Sequence, residues 1–546
     1  MKKILFLQLF ILLLSGCASV PDKNLQLKNV PLDENEGLVI AEVINNSERI
    51  AGIIRNWEEL ILFKTDEPDN TKNVISISAL SNPSSSFLFA GRLKSGVYRL
   101  GLLYTFQKLG DTSYSARALI PPGMGEFEVI PGEITNLGTI LYHPFEQIHH
   151  MEKQLPDYAV TRFENTELTE FIAKQHPEIF KYIDTTDINS WNEDDLSGDR
   201  NDAFELIKSS SVLEYYFPLS NGEFVATGKL GSMFLFLGDG KGYKNLSVPT
   251  RREISAFTET PEKQWIIGGE YGLLKKSSPP YKEWIDIQLN DNLNHILDIQ
   301  SNKNGDVFIL SFDGIKYNVY ELNKAFTTKL LRSFGQKQAF FFDGGFRPQI
   351  KLNEEYLKVL NEKIAYSHSL NDANDWTSEE VTELAKIYYQ RNGLQLTSKT
   401  SSWSGLGPLL YSKDGGNSWS RVSRDEEVSG FIRPFIFTDG KILLLREMDD
   451  IKLFRKTNIY EKVEVKLSDD EGMTWKNRTS LPKSCNSFMH NVSDDSNVYV
   501  RCSNGGIHVT NDRGQSWKEV LWNHQIPMDK FPKSFVIPLS KLRNPK

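Results

Sequence analysis

The sequence predicts an all-β fold with three parts: an N-terminal β-sandwich, a short helical linker and a C-terminal ring of small sheets. Three observations carry that reading. From about Gly37 to Phe145, short apolar runs alternate with turn clusters. Helix signals concentrate between about 146 and 209. Near the C-terminus one template recurs: Ser412-Lys-Asp414-Gly-Gly416-Asn-Ser-Trp419, Ser468-Asp-Asp470-Glu-Gly472-Met-Thr-Trp475 and Thr510-Asn-Asp512-Arg-Gly514-Gln-Ser-Trp517. Each copy reads Ser/Thr-x-Asp-x-Gly-x-x-Trp after a strand-like run, the mark of an array built from one repeated unit.

At the start of the chain, Lys2 and Lys3 precede an apolar run, Ile4 to Leu14, broken only by Gln8. The run is too short to span a bilayer, which takes roughly 20 residues, and it fits the core of a secretory signal. Leu14-Ser15-Gly16-Cys17 follows and resembles the lipobox of bacterial lipoproteins. The resemblance implies removal of residues 1–16 and acylation of Cys17 as the new N-terminus. Two or three chains, each contributing about 0.8 kcal/mol per buried CH₂, would hold it on a membrane. Ala18 stands where many Gram-negative bacteria use Asp to retain such proteins in the inner membrane, so in a Gram-negative host the resemblance implies the outer membrane, facing the periplasm or the outside. Residues 17–36 are polar and patternless, as a tether would be.

Composition narrows the function classes. A length of 546 residues and a 39% hydrophobic share allow two to four domains of roughly 100–200 residues. The formal charge is −8 and grows more negative without Lys2 and Lys3. No Lys/Arg stripe offsets it, which argues against a nucleic-acid partner. There is no Gly-x-Ser-x-Gly, phosphate-cradling loop or His-Glu-x-x-His. No catalytic residue, cofactor or metal is predicted. His149, His150 and Glu152 lack a ligand spacing and read as a solvated hinge.

The first domain, 37–145, offers strand candidates at Leu38–Val43, Arg49–Ile54, Leu60–Lys64, Val74–Ala79, Ser86–Ala90, Gly96–Tyr104, Ser115–Ile120, Glu126–Ile130 and Thr135–Tyr142. Many short strands with turn clusters between them indicate a sandwich. Leu93-Lys-Ser-Gly96-Val-Tyr98 and Phe127-x-Val129-x-Pro131-Gly132 resemble transthyretin-like and carboxypeptidase-regulatory-like domains, which implies a spacer or docking module.

Within the linker, 146–209, Asn165 or Thr166 is a cap candidate for a helix whose apolar stripe runs Leu168, Phe171, Ile172, Ile179, Phe180 and Ile183. Pro177 splits it. The acidic run Asn192 to Asp202 matches no Ca²⁺ loop spacing and reads as a solvated boundary.

The array should occupy 210–546. Decayed copies of the template survive at Ser369 to Trp376 and Ser277 to Trp284, so marker tryptophans fall at 284, 376, 419, 475 and 517. Four-stranded units of roughly 45 residues make a β-propeller. Seven blades are favoured, and six or eight also fit. The template itself has a structural logic. Asp414, Asp470 and Asp512 can accept turn N–H groups, Ser412, Ser468 and Thr510 add hydroxyl bonds, and Gly416, Gly472 and Gly514 permit unusual backbone angles. Trp419, Trp475 and Trp517 then lie over the blade. Cys485 and Cys502 fall in two runs joined by a turn signal, predicting a disulfide across a hairpin in an oxidising compartment. Without a histidine at ligand spacing they do not read as a zinc site.

The template resembles the Asp-box, or BNR repeat, of sialidases and sortilin-type receptors, and implies the fold alone. A sialidase needs an arginine triad and a Tyr–acid pair. The nearest strings, Phe346-Arg347-Pro348 and Phe431-Ile432-Arg433-Pro434, lack the full pattern, so no catalytic residue is carried over. The expectation is a lipid-anchored envelope scaffold with a protein or glycan partner on a propeller face. The alternative is a glycoside hydrolase or lyase acting on polysaccharide.

Overall fold

The computed structural model describes residues 31–46, 57–66, 74–80, 86–109, 112–145, 157–183, 185–287, 295–313, 316–323, 326–335, 348–352, 356–361, 364–370, 376–380, 387–391, 394–398, 409–414, 418–421, 434–447, 462–470, 472–482, 485–502, 505–521 and 527–538. Cys17, the Arg49–Ile54 run, His149, His150, Glu152, Arg347, Gly416 and Arg433 lie outside the described residues.

Nine strands build most of the sandwich: β1 (Glu36–Asn45), β2 (Glu59–Lys64), β3 (Val74–Ser78), β4 (Phe87–Lys94), β5 (Gly96–Leu109), β6 (Thr112–Leu119), β7 (Glu126–Val129), β8 (Ile134–Pro144) and β9 (Tyr158–Phe163). One sheet orders β4-β1-β8-β9, and the other orders β3-β2-β5-β6 with β7 also on β5. Alternation along β1 sorts its side chains. Val39, Ala41 and Val43 join Leu60, Leu62, Tyr98 and Phe127 in the core between the sheets. Leu38 and Ile40 face the opposite way, under helices α1 (Leu168–Gln175) and α2 (Pro177–Phe180), which supply Leu168, Ile172, Ile179 and Phe180. Coverage on both faces suits the parallel β1–β8 pairing, since parallel neighbours are characteristically buried.

Three parts of the linker depart from the sequence reading, one of them the short strand Ile188–Asn189, which pairs parallel with β8. β9, inside the segment read as linker, pairs antiparallel with β8. The acidic run is mostly exposed, as a solvated segment would be, but its second half opens helix α3 (Ser197–Ser209) rather than a boundary. Arg200 explains why. Its guanidinium is buried, bonds Asp194 and donates to the Gly123 carbonyl at 3.0 Å. Ala203, Phe204 and Ile207 on the same helix face pack on β8 and β9 through Leu141 and Ala159.

Seven sheets then follow among the described residues, at 213–247, 254–286, 295–335, 349–380, 387–421, 435–482 and 485–521. Each is antiparallel and takes its strands in chain order. Successive blades are stitched near their first strands. Thr227 donates to the Ile254 carbonyl at 2.7 Å, Ser255 to the Ile296 carbonyl at 2.6 Å, and Asp298 accepts the Ile350 amide at 2.8 Å. The ring closes where the last blade meets the first. Phe224 and Phe236 pack with Met489, Tyr499 and Val509, with Phe224 edge-on to Tyr499 at 5.0 Å. Lys518 adds a bond to the Gly240 carbonyl at 2.6 Å. Both closing blades are made of contiguous strands, so closure rests on side-by-side packing rather than strand exchange. The architecture is an all-β chain carrying a β-propeller.

A shared irregularity marks five of the seven blades. The first strand slips register against the second between Leu213 and Tyr215, Ile254 and Ala256, Ile296 and Asp298, Ile387 and Tyr389, and Cys485 and Ser487. Each is a one-residue bulge, which bends and twists the strand locally.

Beyond the last blade the chain returns to the sandwich. Val536–Ile537 pairs with β9, while Phe531 and Phe535 bury beside Phe145, Phe204 and Ile207.

Candidate functional site: the cleft between sandwich and propeller

A cleft of about 460 Å³ lies where β1, β8, the start of α1, the segment Pro249–Arg252 and the second blade converge. Its floor is a hydrogen-bonded seam. Glu42, on the outward face of β1, is buried. One carboxylate oxygen accepts the Tyr271 hydroxyl at 2.5 Å. The other accepts the Asn165 amide at 3.1 Å and the Thr139 hydroxyl. Asn165 therefore works in this seam, and no side chain caps α1. The Tyr271 hydroxyl also meets Ser86 Oγ, and the Ser86 amide donates to Glu270 at 2.9 Å. Glu270 in turn accepts the Glu253 amide at 3.0 Å, and Glu253 accepts the Tyr215 hydroxyl at 2.7 Å. Three buried acids thus form one chain of bonds running from sandwich to ring.

Burial, then the charge of Glu270, raises the Glu42 carboxyl above its ordinary range, against the hydrogen bonds it receives. Burial, followed by Glu42 and Glu270, pushes the Tyr271 hydroxyl well above its usual value. Both shifts favour the protonated forms. The tyrosine keeps its proton and uses it as a clasp.

The rim carries charge already paired. Arg252 bonds Glu167 and donates to the Tyr271 carbonyl at 3.1 Å. Arg251 lies 4.7 Å from the Phe163 ring centre and 4.9 Å from that of Phe204. Lys275 meets Asp286 at 2.5 Å. A second contact anchors the first blade, where Lys229 donates to the Asn45 carbonyl at 2.5 Å and the Val212 amide to Asn46 at 3.2 Å. Asn46 faces His143 at 3.0 Å, and burial lowers His143 to about 4.

The recurrent template sits far from this cleft in the chain, at the turn between third and fourth strands of blades five to seven. Asp470 shows its arrangement. One oxygen accepts the Ser468 hydroxyl at 2.8 Å and the Thr474 amide at 2.8 Å, and the other accepts the Thr474 hydroxyl at 2.6 Å. Ser468 Oγ accepts the Gly472 amide at 2.7 Å, and Gly472 has φ 93°. Asp414 binds Ser412 and Ser418 in the same way, and Asp512 binds Thr510 and Ser516. Gly514 has φ 81°, another left-handed position. The residue before each tryptophan, unspecified in the template, is a working partner. Hydroxyl and amide bonds from Thr474, then Ser468, hold Asp470 down to about 2. Ser418 and Ser412 hold Asp414 lower still. At Asp512 burial acts upward, and the bonds from Ser516 and Thr510 outweigh it. Trp475 and Trp517 lie against the core of the last blades, and Trp419, half-buried, precedes the fourth strand of blade five.

Cys485 and Cys502 are joined as a disulfide and are partners in the register of the last blade. The fold adds what spacing did not reveal, a histidine beside them. His508 Nδ1 lies 3.4 Å from Cys502 Sγ.

Together the closed ring and the seam define a β-propeller docked on a β-sandwich. No family model matches the chain, and no curated protein matches it. Among solved structures it is similar to YCF48 bound to D1 peptide, at 10% identity and TM-score 0.37 over 53% of this chain and 90% of that one. It is also similar to a catalytically inactive virginiamycin B lyase from Staphylococcus aureus with quinupristin, at 10% identity and TM-score 0.36 over 55% and 94%. A third is the WD40 β-propeller domain of Doa1, at 14% identity and TM-score 0.31 over 56% and 93%. The propeller assignment here rests on the order and closure of the sheets.

Proposed function

We propose that this chain is a lipid-anchored envelope protein whose propeller is a non-catalytic scaffold for a protein or glycan partner. The supporting observation is how the acids are used. Asp414, Asp470 and Asp512 are committed to turns, and Glu42, Glu253 and Glu270 to the chain of bonds through the seam. Paired-carboxylate hydrolysis needs two acids facing substrate about 5–10 Å apart, and these six are spent elsewhere. Lipobox residues Leu14 to Cys17 support the anchor, and the net charge of −8 argues against nucleic acid. Two measurements test the reading. Labelled palmitate should enter the wild-type chain and not Cys17→Ala, which should leave the membrane fraction. Cross-linking pull-down from native envelopes, beside a glycan array, should capture a stable partner. Steady release of reducing ends or unsaturated sugars from a polysaccharide would overturn the scaffold reading.

A further inference from the structure

The last blade holds a cluster that neither the turns nor the seam employs. Cys485 and Cys502 face each other on its first two strands, and His508 lies on the third, opposite Val500. His508 Nδ1 is 3.4 Å from Cys502 Sγ and 3.8 Å from Cys485 Sγ. The three donor atoms fall within 4.8 Å of one another, and all three residues are buried. From this convergence we propose that, once the disulfide is reduced, Cys485, Cys502 and His508 bind a single soft d¹⁰ cation, Zn²⁺ or Cu⁺.

The donor set decides the class. Two thiolates and an imidazole suit soft or borderline cations and not Mg²⁺ or Ca²⁺, which take oxygen ligands. The histidine is held ready for the task. His508 is buried on the third strand, with Nδ1 turned toward both sulfurs. Both cysteines belong to an apolar cluster that includes Phe488, Val498 and Val500. The chemistry balances with a dithiol reductant. Two electrons and two protons pass from the dithiol to the S–S bond, giving two thiols and an oxidised reductant. Metal binding then releases both thiol protons. In an oxidising compartment the disulfide prevails and the site is closed.

The test uses the full chain, reduced with a dithiol, freed of reductant without oxygen, and titrated with Zn²⁺ and with Cu⁺ against competing chelators. The expected result is one equivalent of at least one metal in the reduced chain and none in the oxidised chain. Affinity should fall by roughly tenfold or more in His508→Gln, and further in Cys485→Ser/Cys502→Ser. X-ray absorption should show two sulfurs and one nitrogen on the metal. Cys17 is common to every variant and cancels from the comparison. The proposal is overturned if the reduced chain binds neither metal more tightly than the double-serine variant. It is equally overturned if His508→Gln keeps full affinity, or if reduction abolishes the sheet signal in circular dichroism.

Discussion

The Tyr271 hydroxyl donates to Glu42 at 2.5 Å, joining residues 229 apart in sequence, one in the sandwich and one in the propeller. Removing the hydroxyl takes one donor from a buried carboxylate that keeps Asn165 and Thr139, at a cost of about 1–3 kcal/mol. Tyr271→Phe should therefore lower the unfolding midpoint in denaturant. Glu42→Gln, which keeps an acceptor and discards a buried charge, should cost less. Equal midpoints for wild type and Tyr271→Phe would show that the clasp carries no stability.

His143 gives the seam a pH dependence. Its folded value is about 4, below the ordinary 6.5, so the unfolded chain binds the extra proton between those limits. Stability from this group is complete above about pH 6.5 and is lost as pH falls towards 4, on the order of 3 kcal/mol at most. Glu42, with its carboxyl raised, works in the other direction and favours the fold at the acid end. The difference in unfolding free energy between wild type and His143→Gln should rise with pH across that window. A flat difference curve would contradict the assignment.

Asp512→Ala removes the acceptor of the Ser516 amide and of two hydroxyls. The orphaned donors should cost about 1–3 kcal/mol. Ser516→Ala should reproduce part of that loss, because the hydroxyl is a direct partner. Thermal unfolding of the two single variants and the double variant would measure the coupling. Strict additivity would deny it.

Phe535 is fully buried among Phe204, Ala203 and Leu141. Phe535→Ala should destabilise by about 3–5 kcal/mol. Protease cleavage of the tail in native buffer should also speed up. An unchanged cleavage rate would mean that the tail is not held by this contact.

How much of this was readable beforehand depended on whether a structural need leaves a local trace in side-chain chemistry. Trp419, Trp475 and Trp517 are large, rare and fixed relative to Asp and Gly, so the blades announce themselves. Ser418, Thr474 and Ser516 are equally visible as hydroxyls, yet a template of fixed residues does not show what the aspartate bonds to. The bulges at Glu214, Ser255 and Leu297 left no trace, since an extra strand residue has no compositional mark. α3 is obscured by the acidic run that leads into it, where Asp194 meets Arg200 and Arg162 only once the chain folds. The clasp of Glu42 and Tyr271 and the approach of His508 to Cys502 belong to tertiary contact, and spacing along the chain could not reveal them.

The ring leaves the sandwich through α3 and comes back to it through Phe531, Phe535 and the strand at Val536. Both of its ends are thus fastened to the same sheet. A pull applied at Glu36 runs along β1 into its neighbours β4 and β8, which must slide past one another and break many bonds together. Because Glu42 and Asn45 on β1 also bond Tyr271 and Lys229, part of that load passes through the seam into the first two blades, and tension on the N-terminal side would strain sandwich and seam together.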